Sequence, residues 1–66
     1  MLEMKLHIRM AEKRINQRQL SEITGIRIGT ISGYYNNKFK HIVAEHLEKF
    51  CEFFDCNVED LIEYKK

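Results

Sequence analysis

The sequence contains no proline and only two cysteines. None of its apolar runs approaches the roughly 18 residues that a membrane-spanning helix requires. Each absence narrows the field. Cys51 and Cys56 are too few for the multi-bridge framework that staples a small secreted domain. Charges at Glu3, Lys5, Arg9, Glu12, Lys13 and Arg14 break every early apolar stretch, so no secretory leader is expected. With no low-complexity segment or linker, nothing divides the chain, and 66 residues leave room for one domain, 1–66. No apolar–polar alternation runs long enough to read as a strand, and no internal repeat is present. The expectation is a soluble, cytoplasmic, all-α domain with no membrane association. A fold this small buries roughly 60% of the surface its unfolded chain exposes, so a partner subunit is a natural supplement.

The net charge of +1 hides an uneven distribution. Residues 1–41 carry eight bases against three acids, a net of +5, and residues 42–66 carry three bases against seven acids, a net of −4. Such a split suggests one face for a polyanion opposite an acidic one, although solvated charged faces are the plainer explanation.

Helical spacing recurs along the chain. Leu2, Leu6 and Met10 share one face of a first helix over residues 3–14. Asn16 with Gln19 forms a capping box, and Ile15 with Leu20 a hydrophobic staple, so a second helix starts at Gln17. Gly25 ends it, because glycine enters the left-handed conformation without steric penalty. A third helix runs over 28–36, with Ile31, Tyr34 and Tyr35 inward, and Asn36-Asn37-Lys38 is its polar exit. A fourth, over 44–54, buries Leu47, Phe50, Cys51 and Phe54. Asn57 with Asp60, and Cys56 with Leu61, repeat the cap and the staple and predict a short fifth helix carrying Leu61 and Ile62. The sum is five short helices around one core.

Helices two and three are separated by Gly25-Ile26-Arg27 alone, a link short enough to force a sharp angle. The third helix then protrudes, and a protruding helix fits the major groove of double-stranded DNA. The stretch Asn16-Gln17, Leu20-Ser21, Gly25-Ile26, Thr30-Ile31-Ser32 and Tyr35-Asn36-Asn37-Lys38 resembles the helix-turn-helix of Cro and phage-repressor (Xre-type) regulators. Leu47, Cys51, Cys56, Asp60-Leu61 and Glu63-Tyr64 are similar to the tail of a short, single-domain subgroup of that family. The resemblance implies a lambda-repressor-like fold and a sequence-specific, DNA-binding transcriptional regulator, in most cases a repressor. Position by position, it puts Arg27, Ile28, Gly29, Thr30, Ser32 and Gly33 near base edges. It puts Gln17, Arg18, Asn36, Lys38 and Lys40 on phosphates. It makes Ser21 the small residue where helices two and three touch.

This chain departs from the pattern at Ile28, Gly29 and Gly33, where related repressors carry hydrogen-bonding side chains. None of the three can grip a base edge bidentately. Gly29 and Gly33, four apart, strip one helical face to backbone. That face suits close approach to DNA or to a partner helix, or else it marks a weakly specific surface. Direct readout then falls chiefly to Arg27, on a guanine edge unless it holds a phosphate instead, and to Ile28, through a thymine methyl.

Other residues invite sharper readings. His46, Cys51 and Cys56 suggest zinc, but the cysteines flank four residues and both occupy core positions, so no metal and no cofactor are expected. His7, His41 and His46 are scattered without a nucleophile, and five short helices offer little pocket, so neither an enzyme nor a small-molecule ligand is expected. Phe53 falls off the main apolar stripe and, with Ile62 and Tyr64, marks a homodimer contact in the acidic half. The rival to a DNA-bound regulator is a protein-interaction module, such as an antitoxin or an anti-repressor partner, which the bare glycine face favours.

Overall fold

The computed structural model describes residues 1–66. It holds α1 (Leu6–Lys13), α2 (Gln17–Thr24), α3 (Ile28–Tyr35) and α4 (Ala44–Phe54). A strand β1 (Leu2–Met4) precedes them, and one 3-10 turn (Val58–Asp60) and a strand β2 (Ile62–Tyr64) follow.

The second helix forms as its local signals dictate. The Gln19 N–H donates to Asn16 Oδ1 at 2.8 Å, and the Asn16 N–H donates to Gln19 Oε1 at 2.9 Å. Gly25 closes the helix at φ 77°. The other three helices end on non-glycine residues held left-handed: Arg14 (φ 54°), Asn37 (φ 58°) and Asp55 (φ 51°). Each conformation is fixed by backbone bonds that wrap the last turn. After α3, for example, the Lys38 N–H reaches Gly33 O at 2.8 Å and the Asn37 N–H reaches Tyr34 O at 3.2 Å.

The core comprises Met4, Leu6, Met10, Leu20, Ile26, Ile31, Tyr34, Phe50, Phe54 and Leu61. Tyr34 sits at its centre, edge-on to Phe39, His46 and Phe50. Its hydroxyl meets His46 Nδ1 at 2.8 Å and accepts from the Val43 N–H at 3.3 Å, which pins the 36–43 loop between α3 and α4. Tyr35 points outward instead, edge-on to His7. Leu47 and Cys51, expected in the core, lie half-buried at its margin, as does Cys56.

Two expectations need correction: the fold is not purely helical, and there is no fifth α-helix. Residues 2–4 leave the predicted first helix to pair antiparallel with 62–64, in the register Leu2↔Tyr64, Glu3↔Glu63 and Met4↔Ile62. Leu2 therefore lies on an exposed strand, not on a helical face. The expected cap at Asn57 forms, its N–H donating to Asp60 Oδ2 at 3.0 Å, but it starts only one 3-10 turn. A helix continued through Tyr64 would forfeit the ladder to β1. On the solvent side of the sheet, Lys65 bridges Glu3 at 3.2 Å and Glu63 at 3.6 Å, and its hydrogen bond to Glu3 holds the ammonium above the usual lysine range.

At Met4 the outer edge of β1 is met by a side chain. Asn37 Oδ1 accepts from the Met4 N–H at 2.6 Å, and Asn37 Nδ2 donates to Met4 O at 3.3 Å. The amide thus stands where a third strand would, 33 residues away in sequence. Met4 is fully buried, so its backbone groups lack water as an alternative. Asn37→Gly separates the two roles of this residue. If only the left-handed φ mattered, glycine would leave stability unchanged or raise it. Because two hydrogen bonds to a buried backbone are lost, we expect a loss of about 2 kcal/mol. Thermal melts should fall by roughly 10 °C, given about 4–8 °C per kcal/mol in a domain of this size.

Candidate nucleic-acid interface

The link between α2 and α3 is wired on every side. Ser21 Oγ donates to Ile26 O at 2.6 Å, which is the work of the small residue expected where the helices meet. Thr24 Oγ1 donates to Leu20 O at 2.8 Å and accepts from the Ile26 N–H at 3.2 Å. Lys49, from α4, donates to Thr24 O at 3.2 Å and so places a cation on the carbonyl end of α2. With Ile26 buried beneath it, the turn holds α3 at one angle to α2.

The start of α3 gathers four of the six residues assigned to base edges. Arg27, Ile28, Gly29 and Thr30 line an open depression of about 420 Å³. Arg27 and Ile28 are exposed, and Thr30 is half-buried. Ser32 and Gly33 lie a turn further on and are less available. Asn36 Nδ2 donates to Ser32 O at 2.9 Å and approaches Ser32 Oγ at 3.3 Å, so the two polar side chains occupy one another. The amide donors of Asn36, the groups a phosphate would need, are thus turned onto its own helix.

The two glycines part company. A β-carbon at Gly33 would lie 3.2 Å from Lys38 O, because the loop after α3 folds back across that position. Its bareness therefore has a reason inside the molecule. At Gly29 a β-carbon would meet nothing within 4 Å, so that position faces open space.

Cations frame the helix. Arg27 stands at its start and Lys38 and Lys40 follow its end, and no acidic side chain pairs with any of the three. Arg18 is exposed and loosely paired with Glu22 at 3.8 Å. Gln17 and Arg18 open α2, where the capping box leaves their own backbone N–H groups free of intrahelical partners. Beside them a cavity of about 500 Å³ runs past Ile15 to His7 and Tyr35. The sequence carries no signal for His7 at this place, since only the packing of α1 on α3 brings it beside Tyr35.

The other candidate groups sit elsewhere. His46 engages Tyr34 through Nδ1, and no cluster of three or more histidine, cysteine, aspartate or glutamate side chains gathers. Burial, then the neighbouring Cys51, push the Cys56 thiol up from its ordinary value and favour the uncharged form. Phe53 is half-buried against Phe54, with the Lys13 ammonium 5.4 Å from its ring centre, so it is not the free apolar contact expected.

Two helices locked across a three-residue turn, the second exposed and flanked by unpaired cations, define a helix-turn-helix protein. The chain belongs to the Cro/C1-type HTH DNA-binding domain family, which it matches over residues 5–66. It is also similar to YozG, an HTH-type transcriptional regulator of Bacillus subtilis (strain 168). The two are 30% identical over 60 residues, which is 91% of this chain and 71% of YozG.

The unequal glycines give a test on the fold alone. Gly29→Ala should stabilise the protein by about 0.5–1 kcal/mol, the ordinary helix-propensity gain. Gly33→Ala should gain less or lose, because Lys38 O must yield by a few tenths of an ångström. Denaturant midpoints of the two variants that coincide would show that the contact at Gly33 is without consequence.

Proposed function

We propose that this protein is a transcriptional regulator that lays α3 in the major groove of double-stranded DNA and represses by occupying its operator. The observation that carries this reading is the rigidly held α3 with Arg27, Lys38 and Lys40 unpaired at its two ends. Lys38, Lys40 and Arg18 take phosphates, together with the free N–H groups at Gln17 and Arg18. Arg27 and Thr30 supply hydrogen bonds to base edges, Ile28 supplies apolar contact to a thymine methyl, and open Gly29 lets the helix start approach closely. Ser32 contributes its remaining hydroxyl capacity, whereas Gly33 and Asn36 act by shaping the helix exit. The protein binds as a homodimer on half-sites about one helical turn, roughly 34 Å, apart. No catalysis, cofactor or small-molecule effector enters this mechanism.

Exposed Ile28 and bare Gly29 also suit a protein partner, and salt separates the two cases. For DNA, log affinity should fall linearly with log salt, by about 0.9 for each phosphate neutralised. Lys38→Ala should weaken binding to all sequences alike and flatten that slope by about 0.9. Gel-shift titrations between low and physiological salt measure both. Affinity indifferent to salt would point to the protein-interaction reading instead.

A further inference from the structure

The end of α4 brings the two cysteines of the chain together. Asp55 is left-handed at φ 51°, and the chain wraps back so that the Cys56 N–H donates to Cys51 O at 3.1 Å. In this wrap the side chains at the two ends of that bond meet. Both thiols are free and half-buried. Burial first, and the nearby Cys51 next, hold the Cys56 thiol above its ordinary value; Asp60 adds to this and Arg9 opposes it. The two cysteines are not equally open. Cys51 lines an open depression of about 470 Å³ with Leu47, Glu48, Glu52 and Val58, and Cys56 does not. A small apolar pair would fill these positions equally well. What two thiols add is the capacity to join.

We propose that Cys51 and Cys56 form a reversible thiol-oxidation site, which a low-molecular-weight disulfide closes to an intramolecular bridge clasping the end of α4 to the segment that follows it. Cys51, in the depression, is the first nucleophile. Its thiolate attacks one sulfur of the small disulfide, the S–S bond of that molecule breaks, and one small thiolate leaves. With Cys51 capped, its share in holding the Cys56 proton is gone. The Cys56 thiolate then attacks Cys51 Sγ, the mixed S–S bond breaks, and the second small thiolate leaves. The protons given up by the cysteines end on the two small thiols. The cysteine pair is oxidised by two electrons, and the small disulfide is reduced by the same two. A dithiol such as dithiothreitol reverses the exchange. Glu48 and Glu52 line the same depression and disfavour anionic oxidants, so a neutral disulfide enters more readily.

The bridge spans the turn that sets where the chain goes next. Asn57 starts the 3-10 turn one residue on, and beyond it lie fully buried Leu61 and then β2. In the reduced chain the wrap is held by the Asp55 and Cys56 N–H groups, both donating to Cys51 O. The bridge makes it covalent and removes freedom from the unfolded chain, so the melting temperature should rise by about 10 °C. Neither cysteine belongs to the site around α3, and the proposal does not rest on DNA binding.

Single-cysteine variants separate the two steps. Cys56→Ser keeps the open thiol, so it should accumulate a mixed disulfide on Cys51, form no bridge and show no rise in melting temperature. Cys51→Ser keeps only the thiol that burial holds in its uncharged form, so it should react more slowly with the same reagent. The reverse order of rates would overturn the assignment of Cys51 as first nucleophile.

Equilibration of the full wild-type chain, without DNA, against 2-hydroxyethyl disulfide and 2-mercaptoethanol in varied ratio tests the proposal. Acid-quenched samples are read by intact mass and the oxidised form by thermal melts. A single chain lighter by its two thiol hydrogens, in a proportion independent of protein concentration, restored by dithiothreitol and melting higher than the reduced chain, supports it. Mixed disulfides on both cysteines without the bridge, or cross-linked chains alone, overturn it. A bridged chain that melts no higher than the reduced one overturns the clasp. The wild-type result decides without either variant, so a variant that fails to fold leaves the test intact. Because no DNA is present, these outcomes are independent of the salt titration that tests DNA binding.

Discussion

The amide of Asn37 is the joint on which the arrangement depends. It sits at the exit of α3 with φ 58° and bonds both backbone groups of Met4, a residue with no exposed surface. Three structural decisions meet there. The left-handed turn ends α3 just ahead of Lys38 and Lys40. The chain then folds back over Gly33, where only a missing side chain leaves room for Lys38 O. The backbone of Met4, on the outer edge of β1, finds its partner in a side chain. Glycine would satisfy the first requirement and aspartate could accept from Met4, but only a carboxamide offers both donor and acceptor with tolerance for this φ.

The second joint is the turn between α2 and α3. Its polar groups find partners in Ser21, Thr24 and Lys49, so α3 is presented as a fixed body rather than a mobile segment. Under the proposed major-groove binding, rigidity matters more than usual, because the helix itself has little to say to base edges. Ser32 and Asn36 occupy one another, and Ile28 and Gly29 carry no donor. What remains is Arg27, Thr30 and the shape of the helix start. A surface of this kind draws most of its affinity from phosphates and its discrimination from a few well-placed groups, whose value depends on their being held in place.

The parts of the fold that could be read from sequence are those whose signal and response lie within a few residues. The Asn16–Gln19 box, the glycine at 25 and the spacing of Phe50 and Phe54 are local, and the structure follows them. The strands could not be read this way. Three residues are too few to show alternation, and each strand exists because of the other, some sixty positions away. Asn57 carries a correct start signal for a helix that does not continue, because the ladder to β1 competes for the same residues. At the candidate interface, chain order is enough to gather Arg27 to Thr30. It is not enough to separate Gly33 from Gly29, or to see Asn36 turned onto Ser32. Those facts depend on the loop's path after Asn37. Phe53 escapes sequence reading for a similar reason: its cover, Lys13, comes from another helix.

Charge acts in this molecule through pairing rather than through totals. A net charge of +1 offers a polyanion almost nothing, and the basic and acidic halves of the chain are still joined in one small body, 33 Å in its longest dimension. Screening makes the distinction local, because exposed charges separated by more than about 8 Å are largely hidden from one another at physiological salt. What a phosphate senses is therefore the state of the nearest cations. Four bases have acidic partners: Lys49 pairs with Glu45, Lys65 with Glu3 and Glu63, Arg9 with Glu12 and Arg18 loosely with Glu22. Lys49 and Lys65 lie in the acidic half and brace the turn and the sheet. Arg27, Lys38 and Lys40, at the two ends of α3, have no acidic partner. Glu45 and Glu63 of the second half thus pair with lysines that serve the framework, and the cations around the exposed helix remain available to an anionic partner.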